Sequence, residues 1–407
     1  MKKYLFLMAG LLLMTACSNE QVEMSDDGLQ TSAVSFSVTN GEAVTRANGE
    51  ITSDGSGNTL PLSSFGVFAS YTGIRKYEST TVTSNFMYNQ EVDKNPNGWE
   101  YTPMKYWPNT SGEYTSFFAY APYEPEPGKG KCIEDMSLPS EQGDPWIIYR
   151  LADDPWSDDN PQVDLLFGQY KDTDGTYKAM TDRTRPINPD ERMPFTFLHA
   201  LACYGENIKI KRSQDLITKI NGQKTITINK VTLKYYNLTT KARLVLNATG
   251  SANWKEVISG ELLATRTLTR ELTADNVFNS ADNSAETTVT VAQNAGLFYI
   301  PLTIEGQPAA KVEITIAYTV TDAATGASVQ LETKGVNDLP MSLEAQKADL
   351  TITLGKDLKL TKDSIPVNPT DPTDPTDPTN PTDPDGSIPV NPGNSTGEKL
   401  AKQNNSL

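Results

Sequence analysis

The chain has 407 residues, 37% of them hydrophobic and 21% charged, which is enough apolar material to bury real cores and excludes wholesale disorder. A formal net charge of −16 repels phosphate backbones and anionic headgroups, so no nucleic-acid partner is expected. The single histidine, His199, and the three cysteines argue against a multi-histidine metal centre, a histidine-based triad and a disulfide framework.

Met1-Lys2-Lys3-Tyr4 is a positive start, and the apolar run Leu5 to Met14 is too short to span a bilayer, as in a secretory signal. The run ends Thr15-Ala16-Cys17, small residues before a cysteine that resemble the lipobox of bacterial lipoproteins. That resemblance implies a signal peptide over 1–16, cleavage before Cys17 and acylation of its sulfur. Two or more acyl chains would hold the protein stably at a membrane surface.

From there to about residue 361 the recurring signal is short alternating runs broken by Gly, Pro, Asn and Asp, with no long helical period. Val34, Phe36 and Val38 alternate in an N-terminal segment, 17–50. Phe65 to Ala69, Phe86 to Tyr88 and Phe117 to Tyr120 are strands of a first domain, 51–204. Between Pro122 and Pro194 the chain is acidic and turn-rich and reads as long loops, with Trp146 to Tyr149 and Leu165 to Phe167 as apolar islands.

A second domain, 205–361, alternates more cleanly. Val312, Ile314, Ile316 and Tyr318 hold phase, as do Leu244 and Leu246, Val289 and Val291, and Leu350, Ile352 and Leu354. Each run places an apolar stripe on one sheet face. In Ile226, Ile228, Val231, Leu233 and Tyr235 the phase slips at Asn229-Lys230, which predicts either a bulge or a change of sheet. The fold class is therefore all-β, two tandem β-sandwich domains with long loops. From 362 a Pro/Thr/Asp-rich tail follows, with Ser-Ile-Pro-Val-Asn-Pro at 364–369 and again at 387–392 around a period-three Asn/Asp-Pro-Thr repeat. Proline cannot join a central strand, and polyproline II would give a spacer roughly 80 Å long.

Few residues carry chemistry. His199, next to Leu198, reads as a hydrogen-bonded structural side chain rather than a base. Cys203 continues the phase of Phe195 and Phe197 and points at a core, whereas Cys132, in Gly-Lys-Gly-Lys-Cys, has a loop-like context; one buried and one exposed free thiol is the expectation, with a Cys132–Cys203 bridge as the alternative in an oxidising compartment. The acidic stretches 153–159 and Asp172-Thr173-Asp174-Gly175 lack calcium-loop spacing and read as solvated. No nucleophile elbow, phosphate loop or dinucleotide fingerprint stands out, so neither an enzyme nor a cofactor is expected.

Seven stretches of the first two hundred residues resemble the fimbrillins, Mfa-like subunits of type V pili and related surface adhesins. They are Val44-Thr45-Arg46-Ala47, Phe65 to Ala69, Asn85 to Gln90, Trp99 to Asn109, Tyr114 to Pro122, Asp164 to Gly168 and Pro194 to Ala202. The resemblance implies transthyretin-like sandwiches, an outer-membrane lipoprotein with its lipid on Cys17, and proteolysis of the Arg46–Ala47 bond. It also implies loss of the strand Ala33 to Val38 and addition of a strand from another pilin subunit to the exposed groove. The function implied is a pilus subunit or an accessory, anchor or tip adhesin. The proline tail, which lacks a terminal strand, departs from a stalk subunit. The alternative is a glycan-binding surface lipoprotein, with Tyr101, Tyr106, Trp107, Tyr114, Phe117, Phe118, Tyr120 and Tyr123 as a sugar platform. A shared aromatic core is the other reading of those residues.

Overall fold

The computed structural model describes residues 32–40, 62–157, 162–257, 260, 262–273, 275–293, 295–341, 348–357 and 360–362. Cys17, Arg46, Ala47 and the proline tail lie outside them. In chain order the strands begin with β1 (Phe36–Asn40), β2 (Ser64–Gly73), β3 (Met87–Asn95), β4 (Gly98–Glu100) and β5 (Tyr114–Ala121). There follow β6 (Ile133–Met136), β7 (Trp146–Arg150), β8 (Leu166–Lys171), β9 (Tyr177–Lys178), β10 (Met180–Arg183), β11 (Met193–His199) and β12 (Ala202–Arg212). After a short helix, α1 (Gln214–Ile220), come β13 (Lys224–Thr239), β14 (Lys241–Thr249), β15 (Ser251–Glu256), β16 (Leu263–Glu271) and β17 (Val277–Phe278). The last are β18 (Thr288–Ala292), β19 (Leu297–Tyr299), β20 (Lys311–Asp322), β21 (Ser328–Asp338), β22 (Ala348–Leu354) and β23 (Leu360–Lys362). The all-β class read from the sequence holds.

Among the described residues these strands make four sheets. The first runs β1-β11-β8-β5-β2-β3-β4, with β10 on β5 and β9 on β8. The second is β18-β12-β22-β23 with β19 on β12, the third β16-β13-β20-β21 with β17 on β13, and the fourth β15-β14-β7-β6. One apolar cluster joins the second and third sheets through Ile208, Ile210, Leu233, Ile316 and Ile352. Another joins the fourth sheet to one face of the first, through Ile147, Tyr149, Leu244, Phe118 and Phe167. The opposite face of the first sheet carries a third cluster around Phe36, Phe65, Phe117 and Phe195. Because β5 is covered on both faces, it reads as the unbroken apolar run Phe117-Phe118-Ala119-Tyr120 rather than as an alternation.

One expectation needs correction. The stretch 122–194 is not loop alone: β6 to β10 lie in it, and β7 pairs antiparallel with β14, Arg150 opposite Lys241 through Trp146 opposite Val245. The fourth sheet thus draws strands from both halves of the chain, and the 204/205 division falls inside β12. The phase slip at Asn229 is a bulge. The register of β13 on β20 shifts between Ile228 and Lys230, and Ile226, Ile228, Val231, Leu233 and Tyr235 all stay buried. Helix α1 has no counterpart in the sequence reading. Ser213 caps it by accepting from the Leu216 N–H at 3.1 Å, and Leu216, Ile217 and Ile220 face inward.

Candidate functional site

The alternation Val34, Phe36, Val38 dictates an extended segment with one apolar face, and the structure gives that face a groove. Val34 and Phe36 are both 0% exposed. The Phe36 ring sits 5.7 Å from Phe195 in a stacked arrangement, 5.7 Å from Tyr101, and edge-on at 5.8 Å to Phe117 and 6.1 Å to Phe65. Offset and edge-to-face geometry satisfies the ring quadrupoles as well as excluding water.

The backbone of this segment is held on both sides. Residues 36–40 form β1, the outermost strand of the first sheet, parallel to β11 with Phe36 opposite Met193 and Asn40 opposite Phe197. Just before it, the Val34 N–H donates to the Lys105 carbonyl and the Trp107 N–H to the Ser32 carbonyl, both at 2.9 Å, with Ala33 bridged to Tyr106. The Tyr101 hydroxyl donates to the Val34 carbonyl at 2.7 Å and accepts from the Lys105 N–H at 3.3 Å. Burial pushes the Tyr101 phenol up to about 12, so it stays protonated and donating at neutral pH.

Full burial of Val34 and Phe36 contributes about 1.5–3 kcal/mol each. A parallel edge pairing is the weaker kind of ladder, and among the described residues β1 itself, 36–40, pairs with β11 alone. The segment is therefore anchored by its side chains more than by its hydrogen bonds. Without it, the outer edge of β11 and a groove lined by Phe65, Tyr101, Trp107, Phe117 and Phe195 would face solvent.

The remaining sequence candidates resolve into structural roles. Tyr101, Trp107, Phe117, Phe118 and Tyr120 are core side chains, the shared-core reading of those five, while Tyr114 and Tyr123 are half-buried and Tyr106 is 44% exposed. His199 Nδ1 lies 2.8 Å from Oδ2 of the fully buried Asp164. Asp172 pairs with Lys178 and accepts from the Thr173 N–H, and Asp174 accepts from the Thr176 N–H, so both shape a turn. Cys203 is buried as expected, but Cys132 is buried too, at the head of β6, and no disulfide joins them. Burial pushes the Cys132 thiol up, away from thiolate chemistry. Sequence reasoning missed Tyr101 as the clamp on Val34; nothing in its local pattern marks that role.

Comparisons with known proteins agree with this all-β architecture. No protein-family model matches the chain. It is 31% identical over 255 residues to the fimbrium subunit Fim1C of Phocaeicola vulgatus, a match covering 59% of this chain and 62% of that protein. The crystal structure of a fimbrial protein from Bacteroides vulgatus shares its fold, with a TM-score of 0.57 at 20% identity over 81% of this chain and 97% of that one. The likeness to fimbrillin-type subunits read from the first two hundred residues therefore holds, and neither relative bears the name of an enzyme.

Proposed function

We propose that the chain is a surface-exposed fimbrillin-like subunit, in an accessory, anchor or tip position, that assembles by proteolysis-gated strand exchange and mediates adhesion. Its partners are other pilin subunits, which add a strand, and the outer membrane, reached through a lipid on Cys17. A host protein or glycan is its ligand class. Its location is the outer-membrane surface, and the fimbrium after processing. The observation that supports this reading is β1: an outermost strand whose Val34 and Phe36 fill an aromatic groove, followed within six residues by Arg46. Cutting Arg46–Ala47 would leave that strand held by non-covalent contacts alone, in a position where an incoming strand meets both a backbone edge and side-chain pockets.

Purified protein treated with an arginine-specific protease should acquire Ala47 as its N-terminus and then form ladders on a denaturing gel. Arg46→Ala should abolish both. A chain cut there that stays monomeric would refute strand exchange. Mass spectrometry of the native surface form separates the roles: a start at acylated Cys17 marks an anchored protein, and a start at Ala47 a processed subunit.

A further inference from the structure

The third sheet ends on β21, and that edge differs from the others described. β21 has 11 residues and pairs with β20 without a break in register, from Lys311 opposite Asp338 to Thr321 opposite Ser328. The edges β1, β4, β6, β15, β18 and β23 have between 3 and 6 residues. Edge β16, with 9, carries Arg266 and Arg270 and a register shift. Natural sheets blunt their edges by shortness, bulges or charge, and a long regular edge is a template for another strand. β23 passes near β21 without pairing with it.

The side chains of β21 extend the same contrast. Val329 and Leu331 stand opposite Val320 and Tyr318, which are buried, yet they are 52% and 36% exposed; Val336 on the other face is 59% exposed. The apolar stripe of β20 thus continues onto the edge strand and runs out into solvent.

We propose that β21 pairs antiparallel with β21 of a second copy of this chain, about a two-fold axis at Thr333, to give one continuous sheet across two subunits. The charges select the register. With the axis perpendicular to the sheet, facing side chains share a face only when the axis passes through a residue. An axis at Thr333 sets Glu332 opposite Lys334 twice and places Leu331 opposite Gly335, where no side chain obstructs it. Shifting the axis one residue either way sets Glu332 against Glu332, or Lys334 against Lys334; like charges directly opposite are destabilising. Among the described residues the ion pair of Lys334 is a long one, Nζ to Glu313 Oε1 at 3.9 Å, and such partly exposed pairs contribute little. This contact does not depend on cleavage at Arg46. Its area is that of one strand pair, below the roughly 1,600 Å² of a standard stable interface, so the dimer is weak and concentration-dependent.

The test is sedimentation equilibrium up to several hundred micromolar on the uncut chain from Ser18 onward, which keeps every described residue and removes the acylation site. Wild type should show a monomer–dimer equilibrium. Glu332→Lys and Lys334→Glu should each weaken it roughly tenfold, because two symmetry-related pairs change sign. The double variant should restore it, and equal melting temperatures across the set show that folding is intact. A wild type that stays monomeric throughout overturns the proposal, as does a dimer indifferent to the single reversals or one that the double variant fails to restore. A dimer appearing only when the chain is truncated after Lys362 also overturns it, and assigns the edge to the chain's own tail.

Discussion

Replacing Phe36 with alanine isolates the contribution of the β1 anchor. The side chain is fully buried among four aromatic rings at 5.7–6.1 Å, so little solvent reaches the site and little backbone can collapse into the void. Phe→Ala changes in such cores cost about 3–5 kcal/mol, the sum of lost transfer free energy and an unfilled cavity. Because β1 is an edge strand with one ladder neighbour, most of that loss should fall on its detachment rather than on global unfolding. Hydrogen exchange on the intact chain should therefore speed up at the β1 amides and along the outer edge of β11 by roughly 10²–10⁴-fold, at about 1.4 kcal/mol per tenfold. The amides of β13 and β20, in the other apolar cluster, should not change. Ser37→Ala, with a half-buried side chain outside the groove's core, is the control and should stay within about 0.5 kcal/mol. A Phe36→Ala effect below about 1 kcal/mol, or one spread evenly over all four sheets, would refute the claim that Phe36 anchors a separable strand.

Two further outcomes follow from the same structure. Tyr101→Phe keeps the ring but strands the Val34 carbonyl and the Lys105 N–H, so it should weaken the hold on β1 by about 1–3 kcal/mol, read as faster exchange confined to that strand; unchanged exchange would show that water replaces the hydroxyl. Arg212, 0% exposed, donates from Nη2 to the Asp282 carbonyl at 2.9 Å and lies 3.1 Å from its carboxylate, and the Ser284 N–H, then Thr287 and Arg212, hold that carboxyl below its ordinary range. A depressed carboxyl contributes stability that is present above its unfolded value near 4 and is lost as pH falls through the lower folded value. Asp282→Asn should cost about 3 kcal/mol at neutral pH in thermal or urea melts, by leaving a buried guanidinium without its counter-charge, and the gap to wild type should narrow below pH 4. A gap constant with pH would assign the loss to packing instead.

What the sequence discloses here tracks how local the interaction is. The stripe Val312, Ile314, Ile316, Tyr318 is legible because one face of β20 meets a core and every second residue reports it. The slip at Asn229 is legible as an irregularity, and only the partner strand decides that it is a bulge: the Asn229 side chain turns aside to donate to Thr319 Oγ1 at 2.8 Å, and the phase resumes. The strands between Pro122 and Pro194 leave weaker marks. Trp146-Ile147-Ile148-Tyr149 acquires its identity from β14, about a hundred residues further on, and a four-residue apolar island carries no period of its own. Cys132 misleads for the same reason, since the glycines and lysines before it describe the turn and not the sheet that covers the thiol. Val34, Phe36 and Val38 announce a strand, but not that its neighbour is β11, parallel and some 150 residues distant.

In the proposed exchange, that distance is what would make β1 separable. A strand whose partner is next in sequence is tied to it by a short turn, and cutting the chain elsewhere does nothing to the pair. β1 is joined to the rest of the fold through residues 41–61, which contain Arg46, and the groove it fills is built from β2, β5 and β11 with the stretch around Tyr101 and Trp107. While the chain is intact the strand is presented to its groove at an effective concentration of the order of millimolar, which no competing strand in dilute solution matches. A cut at Arg46–Ala47 would remove that advantage without removing one contact, so β1 and an incoming strand of the same alternation would compete for identical pockets on nearly equal terms. The equilibrium would then turn on dilution of the released segment and on whatever further contacts the incoming subunit makes. Deep side-chain anchoring by Val34 and Phe36 would keep the uncut chain closed, and the same aromatic pockets would supply the affinity for a strand that replaced it.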